Sequence, residues 1–346
     1  MKAFYTKASM EFELRDVGLD PLAPDEVLVK VRACGVCGWD VLVAQTVAQD
    51  WSPIGHELSG DIVEVGSAVP GLQVGTPVPG LQVGTPVVVE NSTLCGVCDQ
   101  CKRGNVAHCV TLDHHRSPGG FAELIKVRYT SVFPMAELDY RAGALAEPLT
   151  VAIDMVEMAE IPLAGHVAVF GPGPIGLMIA KLALVKGASR VYLTGHAHSH
   201  KRWEVAEALG VTDCVFIDRQ DLSSYFEKAE PQGLDRVLVT SPPATIADAM
   251  KLCRFGGIIT YNGIKFGGGE RIVLDGNDFH FKRLQLRGVH SIPNLGWPQA
   301  VELLRNKTID PDLFISHTFP FEQVPDAVRF AATARSETVK VMVEVG

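Results

Sequence analysis

The pattern of apolar and polar positions differs between two parts of the chain, one that predicts mainly β-strands and one that predicts alternating strands and helices. In the first part, residues 26–32 alternate polar and apolar side chains, as a half-buried β-strand does, and residues 61–66 behave similarly. From about Leu163 onward, short apolar runs alternate with helical patterns. The runs read as strands are 167–170, 190–194, 235–239 and 257–261, and those read as helices are 175–185 and 202–209. This alternation predicts a parallel, doubly wound sheet.

After about His290 the pattern becomes mixed again, and residues 339–345 predict a closing strand. A chain of 346 residues is long enough for about two domains, each with its own hydrophobic core. We therefore expect an α/β protein. A doubly wound coenzyme-type domain at 151–289 should be inserted into a β-rich domain formed by 1–150 and 290–346.

One short segment occurs twice. Residues 70–78 and 79–87 both read PGLQVGTPV. An odd-numbered insertion inside a strand would turn every later side chain to the opposite face of the sheet, so the extra copy must be absorbed in a loop, a bulge or an added hairpin. The segment carries no chemically reactive side chain, and we interpret it as a duplication without a catalytic role.

Charge and composition exclude several classes of protein. The formal net charge is −9 and no basic stripe stands out, which argues against nucleic-acid binding. Residues 1–7 lack the apolar core of a signal peptide, and no apolar run reaches the roughly 18 residues of a membrane helix. The sequence predicts a soluble, cytoplasmic protein without a membrane partner.

Four cysteines carry the strongest chemical signal. Cys95, Cys98, Cys101 and Cys109 follow the pattern C-x2-C-x2-C-x7-C in a glycine-containing polar segment. Short spacings of this kind place four thiolates around one zinc ion and leave no open coordination position. The other cysteines are scattered through apolar segments, unlike the disulfide framework of a secreted protein. We predict a structural zinc site.

A second set of residues has the composition of a zinc site with an open position. Cys37 lies between glycines, His56 and Glu57 follow Gly55, and Glu147 precedes a proline. Cysteine, histidine and carboxylate together suit a catalytic zinc. We predict Cys37 and His56 as ligands together with a glutamate. Glu57 is either a direct ligand or a partner of the ligating histidine, and Glu147 is the other candidate.

The glycine-rich segment 171–176, GPGPIG, lies between a predicted strand and a predicted helix. In that context G-x-G-x-x-G indicates a dinucleotide-binding turn, in which glycines let the backbone approach a pyrophosphate at a helix N-terminus. The predicted coenzyme contacts in and after this turn are Gly171, Gly173, Pro174, Ile175, Gly176, Ser241 and Gly263.

The residue at the end of the next predicted strand indicates whether the protein prefers NAD or NADP. An acidic residue that binds the ribose 2′-hydroxyl of NAD is expected about 20 residues on, but the position holds Gly195. The chain continues with His196, His200, Lys201 and Arg202, side chains that can bind a 2′-phosphate. We therefore predict NADP over NAD. The alternative is that the basic run is a solvated first turn of a helix.

Taken together, these motifs resemble the zinc-dependent medium-chain dehydrogenase/reductases over essentially the whole chain. The segments that carry the resemblance are, in order, Cys37, 55–57, the four cysteines, 119–123 (GGFAE), 147–148 and GPGPIG. Glu147-Pro148-Leu149 is similar to the branch of sorbitol, threonine and galactitol-phosphate dehydrogenases. The resemblance implies a GroES-like catalytic domain, an inserted Rossmann domain, two zinc ions per chain, and a homodimer or homotetramer.

The resemblance also implies a reaction. A zinc-bound secondary alcohol of a polyol, sugar or related molecule passes a hydride to the nicotinamide. The family usually has Ser or Thr two residues after the first zinc cysteine as a proton relay, but here the position holds Trp39. Indole accepts no proton. Release then runs through water, Glu57 or Glu147, and Trp39 is a wall of the substrate pocket, a block on alcohol oxidation or a core residue.

Three hypotheses follow for the function. The first is an alcohol or polyol dehydrogenase, the second an NADPH-dependent carbonyl reductase, and the third a catalytically silent NAD(P)-binding sensor or structural protein. Trp51, His290 and Trp297 are further candidates for the substrate pocket.

Overall fold

The computed structural model describes residues 1–70, 80–90, 92–114 and 118–346. These residues form two compact units, Met1–Thr150 with Ile292–Gly346, and Val151–Ser291. The strands are β1 (Lys2–Lys7), β2 (Glu11–Asp16), β3 (Glu26–Gly35), β4 (Ser52–Pro53), β5 (Glu57–Val65), β6 (Pro86–Val89), β7 (Ser92–Thr93), β8 (Asp113–His114), β9 (Leu124–Arg128), β10 (Val132–Pro134), β11 (His166–Phe170), β12 (Arg190–Gly195), β13 (Asp213–Phe216), β14 (Leu234–Val239), β15 (Cys253–Tyr261), β16 (Gln285–Gly288), β17 (Ile315–Pro320) and β18 (Lys340–Glu344).

The α-helices are α1 (Gly38–Leu42), α2 (Asp99–Lys102), α3 (Tyr140–Ala144), α4 (Ala146–Ala159), α5 (Pro174–Val185), α6 (His200–Ala208), α7 (Leu222–Ala229), α8 (Ile246–Leu252), α9 (Gly276–Phe281), α10 (Trp297–Arg305), α11 (Pro311–Phe314) and α12 (Val324–Thr333). A π-helical turn, Val43–Val47, continues α1. Among the described residues, none of these helices combines the length and the apolar character needed to cross a bilayer.

The first unit is built on a largely antiparallel sheet with the strand order β10-β6-β5-β3-β18-β17, and β9 also pairs with β3. The predicted strand at 26–32 is found as β3, whose Val27, Val29 and Val31 are fully buried. Strand β3 continues beyond the predicted end to Gly35. Residues 33–35 are all buried, so the alternation of polar and apolar residues that marks the first part of the strand is absent there. The β-rich part of the predicted fold class is therefore confirmed.

The second unit contains a parallel sheet with the strand order β13-β12-β11-β14-β15-β16. Counted along the chain this is 3-2-1-4-5-6, the order of a dinucleotide-binding doubly wound sheet. Strands β11 and β12 are almost entirely apolar and buried, as strands covered on both faces should be. The predicted doubly wound sheet is confirmed.

The duplicated segment is described only in its second copy. Residues 71–79, which include most of the first copy, lie outside the described residues. In the second copy the backbone N–H of Gly84 donates to the carbonyl of Ile62 at 2.7 Å, and the last two residues enter β6. How the first copy is absorbed stays a prediction.

Candidate functional site

The four cysteines of the first motif come together. The ligand atoms of Cys95, Cys98, Cys101 and Cys109 lie within 4.8 Å of one another. The Sγ atoms of Cys98 and Cys109 are 4.0 Å apart, and those of Cys109 and Cys95 are 3.6 Å apart. A tetrahedron with Zn–S bonds of about 2.3 Å has edges of about 3.8 Å, so the sulfur atoms fit a zinc ion. None of the eight cysteines of the chain forms a disulfide.

The backbone around this cluster favours thiolates. The N–H groups of Val97 and Cys98 point at the Sγ atom of Cys95, at 3.5 and 3.3 Å, and the N–H of Cys95 points at the Sγ atom of Cys109 at 3.4 Å. The backbone N–H of Cys101 is the main reason why the pKa of Cys98 falls to about 6. Deprotonated sulfur is the form that binds metal.

A second cluster joins Cys37, His56 and Glu57, whose ligand atoms also lie within 4.8 Å of one another. Cys37 directly precedes α1, while Glu57 is the first residue of β5 and His56 directly precedes that strand. Gly55 has a φ of +90°, and a Cβ atom there would lie 2.7 Å from the backbone nitrogen of Phe121. The backbone can therefore present His56 to the cluster because position 55 is a glycine.

Sequence reasoning missed Asp40, whose carboxylate contacts the backbone and the side chain around the cluster. Its carboxylate accepts hydrogen bonds from the N–H groups of Cys37 at 2.9 Å and Gly55 at 3.0 Å, and one oxygen lies 3.5 Å from Nδ1 of His56. Burial opposes ionisation of Asp40, but the interaction with His56 and these hydrogen bonds hold the pKa of Asp40 below its ordinary value. Burial likewise opposes the charge on His56, yet Asp40 and Cys37 raise the pKa of His56 well above its usual range.

Lys340 is the second residue that the sequence reasoning missed. Its ammonium nitrogen donates to both carboxylate oxygens of Glu57 at 2.6 Å and to the carbonyl of Val36 at 3.2 Å. Both side chains of the pair are almost fully buried, with 4% and 2% of their surfaces exposed. Gly35 faces Glu57 across strands β3 and β5, and a Cβ atom at Gly35 would overlap the Glu57 carboxylate. The ion pair fixes the Glu57 carboxylate next to Cys37 and His56.

Two further carboxyl groups of the first unit, those of Glu147 and Glu90, have pKa values that burial raises. Glu147 lies in the first turn of α4, and burial raises the pKa of Glu147 to about 7, while the charge of His56 lowers it and that of Glu57 raises it. Glu90, which the sequence reasoning did not single out, is buried and accepts a hydrogen bond from the N–H of Asn294 at 2.8 Å. Burial raises the pKa of Glu90 to about 7 as well.

The aromatic residues and the histidine that we considered for the substrate pocket differ in their exposure and contacts. Trp39 is 38% exposed, which contradicts the interpretation of a core tryptophan. Trp297 is 1% exposed and stacks on Phe133 with the ring centroids 5.4 Å apart, so it packs in the core of the first unit rather than lining a pocket. Trp51 lies under the guanidinium of Arg15, whose Cζ atom is 5.1 Å from the ring centroid. His290 is an exposed residue of the second unit.

The glycine motif lies at the carboxyl edge of the parallel sheet. Gly171 directly follows β11 with a φ of +106°, and Gly173 caps α5, in which Pro174 occupies the first turn. A Cβ atom at Gly176 would overlap the carbonyl oxygen of Gly171, so the turn closes tightly against the helix. Ser241 and Gly263 follow β14 and β15 at the same edge, and a Cβ atom at Gly263 would overlap the Ser241 carbonyl. Strands β11 and β14 are neighbours here, which is the switch point where nucleotides bind.

Gly195 is the last residue of β12, and hydrogen bonds hold the histidine-rich segment that follows it in a turn. The N–H of Ala197 donates to Asp218 at 2.9 Å, and the indole N–H of Trp203 donates to the carbonyl of His196 at 3.0 Å. The His196 and His198 rings stack with their centroids 5.4 Å apart. His200 begins α6, and Lys201 and Arg202 follow in its first turn. Lys201 forms an exposed ion pair with Glu204 at 3.0 Å.

Comparison with known proteins finds two matching protein families, one for each of two long segments of the chain. The alcohol dehydrogenase GroES-like domain family matches residues 23–137, and the zinc-binding dehydrogenase family matches residues 174–306. The chain is 28% identical to the sorbitol dehydrogenase of Bacillus subtilis, over 99% of this chain and 97% of that protein. It is also 28% identical to the scyllo-inosose 3-dehydrogenase of Thermotoga maritima, over 90% of this chain and 85% of that protein.

A solved structure with 29% sequence identity is a zinc-binding dehydrogenase of Sinorhizobium meliloti bound to NADP. It superposes with a TM-score of 0.86 over 99% of this chain and 98% of that one.

Proposed function

The chain belongs to the zinc-dependent medium-chain alcohol and polyol dehydrogenases, and from that premise we propose that it oxidises a secondary alcohol of a polyol, sugar or related molecule with NADP. The family makes it an NAD(P)-dependent alcohol or polyol dehydrogenase. One observation carries the more specific proposal: the donor atoms of Cys37, His56 and Glu57 converge within 4.8 Å in the GroES-like unit. A cysteine, a histidine and a carboxylate are the donor set of a zinc site with an open position.

We assign two zinc ions to each chain. Cys95, Cys98, Cys101 and Cys109 hold a structural ion, since four sulfur ligands close its coordination sphere. Cys37, His56 and Glu57 hold the catalytic ion, and Glu147 is the further carboxylate close enough to interact electrostatically with His56. When bound, the catalytic zinc lowers the pKa of a ligated hydroxyl, and the coenzyme accepts the hydride.

Residues behind the ligands prepare the site for this reaction. Asp40 accepts hydrogen bonds from the backbone N–H groups of Cys37 and Gly55 and lies beside Nδ1 of His56, which leaves Nε2 as the ring nitrogen that would bind a metal. Lys340 compensates the charge of the Glu57 carboxylate in the buried interior. Both residues act on the ligands rather than on the substrate.

The proton leaves by a route without a hydroxyl relay. Oxidation converts the carbinol and NAD(P)⁺ into a carbonyl compound, NAD(P)H and one proton, and Trp39 has no acceptor atom for that proton. Lys340 donates to both oxygens of Glu57, which favours water or Glu147 as the acceptor. The second candidate function is the reverse reaction, NADPH-dependent reduction of a ketone, which is supported by the end of β12, where Gly195 offers no carboxylate to the ribose of NAD.

The preference for NADP is supported by the end of β12. Gly195 supplies no carboxylate to the ribose, and His196, His200, Lys201 and Arg202 follow at the start of α6. Asp218, which accepts the N–H of Ala197, places a negative charge beside the same turn, and Lys201 already pairs with Glu204. Lys201 and Arg202 are the positively charged side chains of this turn, and a hydrogen bond from such a side chain to a 2′-phosphate contributes about 1.5–3 kcal/mol.

Zinc analysis tests the metal assignment. We expect two zinc ions per chain in the purified protein, one in Cys37→Ser and one in Cys98→Ser, because each variant removes a ligand from a different site. Cys214→Ser, which changes a cysteine of the second unit, should retain both ions. A single ion in the unmodified protein, or loss of zinc in the Cys214 variant, would contradict the assignment.

We propose a homodimer or homotetramer, as the family resemblance implies, and a cytoplasmic location, as the scattered cysteines indicate. Light scattering of the purified protein measures the assembly directly, and a monomer would refute this part of the proposal.

A further inference from the structure

Two buried donor groups belong to residues that interact with the carboxyl group of Glu90. Glu90 and Asn294 are each 7% exposed, and Trp297 is 1% exposed. Among the residues that the structure describes, neither the side-chain nitrogen of Asn294, Nδ2, nor the indole nitrogen of Trp297, Nε1, has a hydrogen-bond partner. Buried N–H groups almost always have an acceptor, so two unpartnered ones beside one acid require an explanation.

Both donors lie on the segment that Glu90 holds in place. The backbone N–H of Asn294 donates to Oε1 of Glu90 at 2.8 Å, and Oδ1 of Asn294 accepts the N–H of Gly296 at 2.7 Å. Trp297 is the first residue of α10, and its indole N–H faces the same carboxyl group and opposes the rise in its pKa without completing a hydrogen bond. Glu90 therefore uses one of the three N–H groups that these two residues offer.

The charges around Glu90 favour its protonated form. The ionisable group whose charge acts on it is Glu147, in the first turn of α4, a like charge that adds to the effect of burial. Strands β6 and β10, which pair with each other next to Glu90, consist of valine, phenylalanine and proline. The charged residues of α10, Glu302 and Arg305, pair with each other at the surface. Within the described part of the chain, the groups that can stabilise an ionised Glu90 are thus neutral N–H donors.

The protonated and the ionised carboxyl group make different demands on these donors. An ionised carboxylate has only acceptor sites, whereas a protonated carboxyl group has an O–H donor and fewer free acceptor sites. Hydrogen bonds to an ionised group are also roughly twice as strong as those between neutral groups. A protonated Glu90 can leave the two side-chain donors unused, but an ionised Glu90 in the same buried place would draw both of them to its oxygens. The pocket thus has two arrangements, which differ in the number of donors that Glu90 engages.

We propose that Glu90 is a pH-sensitive switch: when it loses its proton to solvent, Nδ2 of Asn294 and Nε1 of Trp297 turn to its carboxylate, and residues 294–297 at the start of α10 are repositioned. Burial raises the pKa of Glu90 to about 7, so the change falls near neutral pH. The switch lies in the unit that contains both zinc-type clusters, and the inference does not depend on the dehydrogenase reaction.

Fluorine NMR of the zinc-loaded protein labelled with 5-fluorotryptophan tests the switch, because the chain has four tryptophans and each gives its own signal. The signal of Trp297 is the one missing from Trp297→Phe. If that variant does not fold, Trp39→Phe, Trp51→Phe and Trp203→Phe identify the same signal by elimination. We expect the Trp297 signal to change between pH 6 and pH 8 with a midpoint near pH 7, because its indole N–H gains an acceptor. A Trp297 signal that stays constant over this range would overturn the proposal.

Four variants assign the change to Glu90 and its donors. Glu90→Gln should abolish the pH dependence of the Trp297 signal, and Glu64→Gln, at an exposed position of β5, should leave it intact. Asn294→Ala removes one donor to the ionised form and should raise the midpoint by at least about one pH unit. Glu147→Gln removes the like charge and should keep the change with a lower midpoint.

Three results would count against the switch. A pH dependence that persists in Glu90→Gln, or one that disappears in Glu147→Gln, would show that another group titrates. An unchanged midpoint in Asn294→Ala would show that its side-chain amide does not stabilise the ionised form.

Discussion

The buried pair of Glu57 and Lys340 shows how individual residues stabilise the site. A carboxylate so little exposed would be strongly destabilising if it were alone, and the ammonium at 2.6 Å offsets its loss of hydration. Burial would lower the pKa of Lys340, but Glu57 raises the pKa of Lys340 above its ordinary value.

Removing one member of this pair should therefore destabilise the protein. We expect Lys340→Met to lower the free energy of unfolding by about 3 kcal/mol, since it leaves an uncompensated buried carboxylate. Lys340→Arg keeps the charge and should lose less, and the double change Glu57→Gln with Lys340→Met should recover part of the stability. Urea unfolding measures all three, and an unchanged midpoint for Lys340→Met would contradict the role assigned to the pair.

Glu90 predicts a specific dependence of stability on pH. Its pKa rises from an ordinary value of 4.5 to about 7 in the folded protein, with burial as the main cause. Between these values the folded state binds more protons than the unfolded state, so the contribution of Glu90 to stability falls as the pH rises. Above about pH 7 the charged carboxylate destabilises the fold by roughly 2–3 kcal/mol.

Glu90→Gln keeps an oxygen acceptor for the N–H of Asn294 and removes the charge. We expect the variant to be more stable than the unmodified protein at pH 8, with a difference that shrinks towards pH 5. Urea midpoints at the two pH values give the comparison, and Glu64→Gln, at an exposed position of β5, serves as the control. A difference that grows as the pH falls would show that the sign of this argument is wrong.

At the level of residues, the sequence indicates the side chains that converge in the second cluster but not the residues that support them. Cys37 and His56 are conspicuous because their neighbours are glycines, whereas Asp40 is marked only by its place three residues after Cys37. Lys340 is distant in sequence and reaches Glu57 because β18 pairs with β3, which in turn pairs with β5. Trp297 was misjudged because its burial depends on Phe133, a contact that no local pattern encodes.

At the level of elements, we propose that the turn between β12 and α6 determines the preference for NADP over NAD. Gly195→Asp would place a carboxylate at the end of β12, where it repels a 2′-phosphate and accepts a 2′-hydroxyl. We expect the ratio of kcat/KM for NADP to that for NAD to fall at least about tenfold.

The same position requires a steric control. A Cβ atom at Gly195 would lie 2.6 Å from Cδ of Pro172, so any side chain there displaces the glycine-rich turn to some extent. Gly195→Ala measures this packing effect without a charge and should weaken both coenzymes to a similar degree. If Gly195→Ala changes the coenzyme ratio as much as Gly195→Asp does, charge is not the determinant.

The elements that the sequence predicted well have strong local signals. Strands β11, β12, β14 and β15 are short buried apolar runs, and α5 follows a glycine turn with proline in its first turn. Strand β16, Gln285–Gly288, was missed because it is a partly exposed strand at the edge of the sheet and has a polar sequence. Its pairing with β15 identifies it, and that pairing is visible only in the fold.

For the whole molecule, the two units have separate tasks. One contains both zinc-type clusters, and the other contains the glycine-rich turn at the switch point of a parallel sheet. The division explains why the family could be recognised from motifs in order along the chain. The substrate could not be inferred in the same way, because the motifs specify metal ligands and a coenzyme-binding turn and carry no information on the shape of a substrate pocket.

The most direct test of this account is the reduction of NADP and NAD by the zinc-loaded protein with a panel of cyclic and linear polyols, compared with His56→Ala. We predict turnover with at least one secondary alcohol, faster with NADP, and at least about a hundredfold slower in the His56 variant, because the variant lacks a ligand of the catalytic zinc. Turnover that survives in His56→Ala, or no turnover by the unmodified protein in either direction, would contradict the claim that Cys37, His56 and Glu57 form a catalytic zinc site.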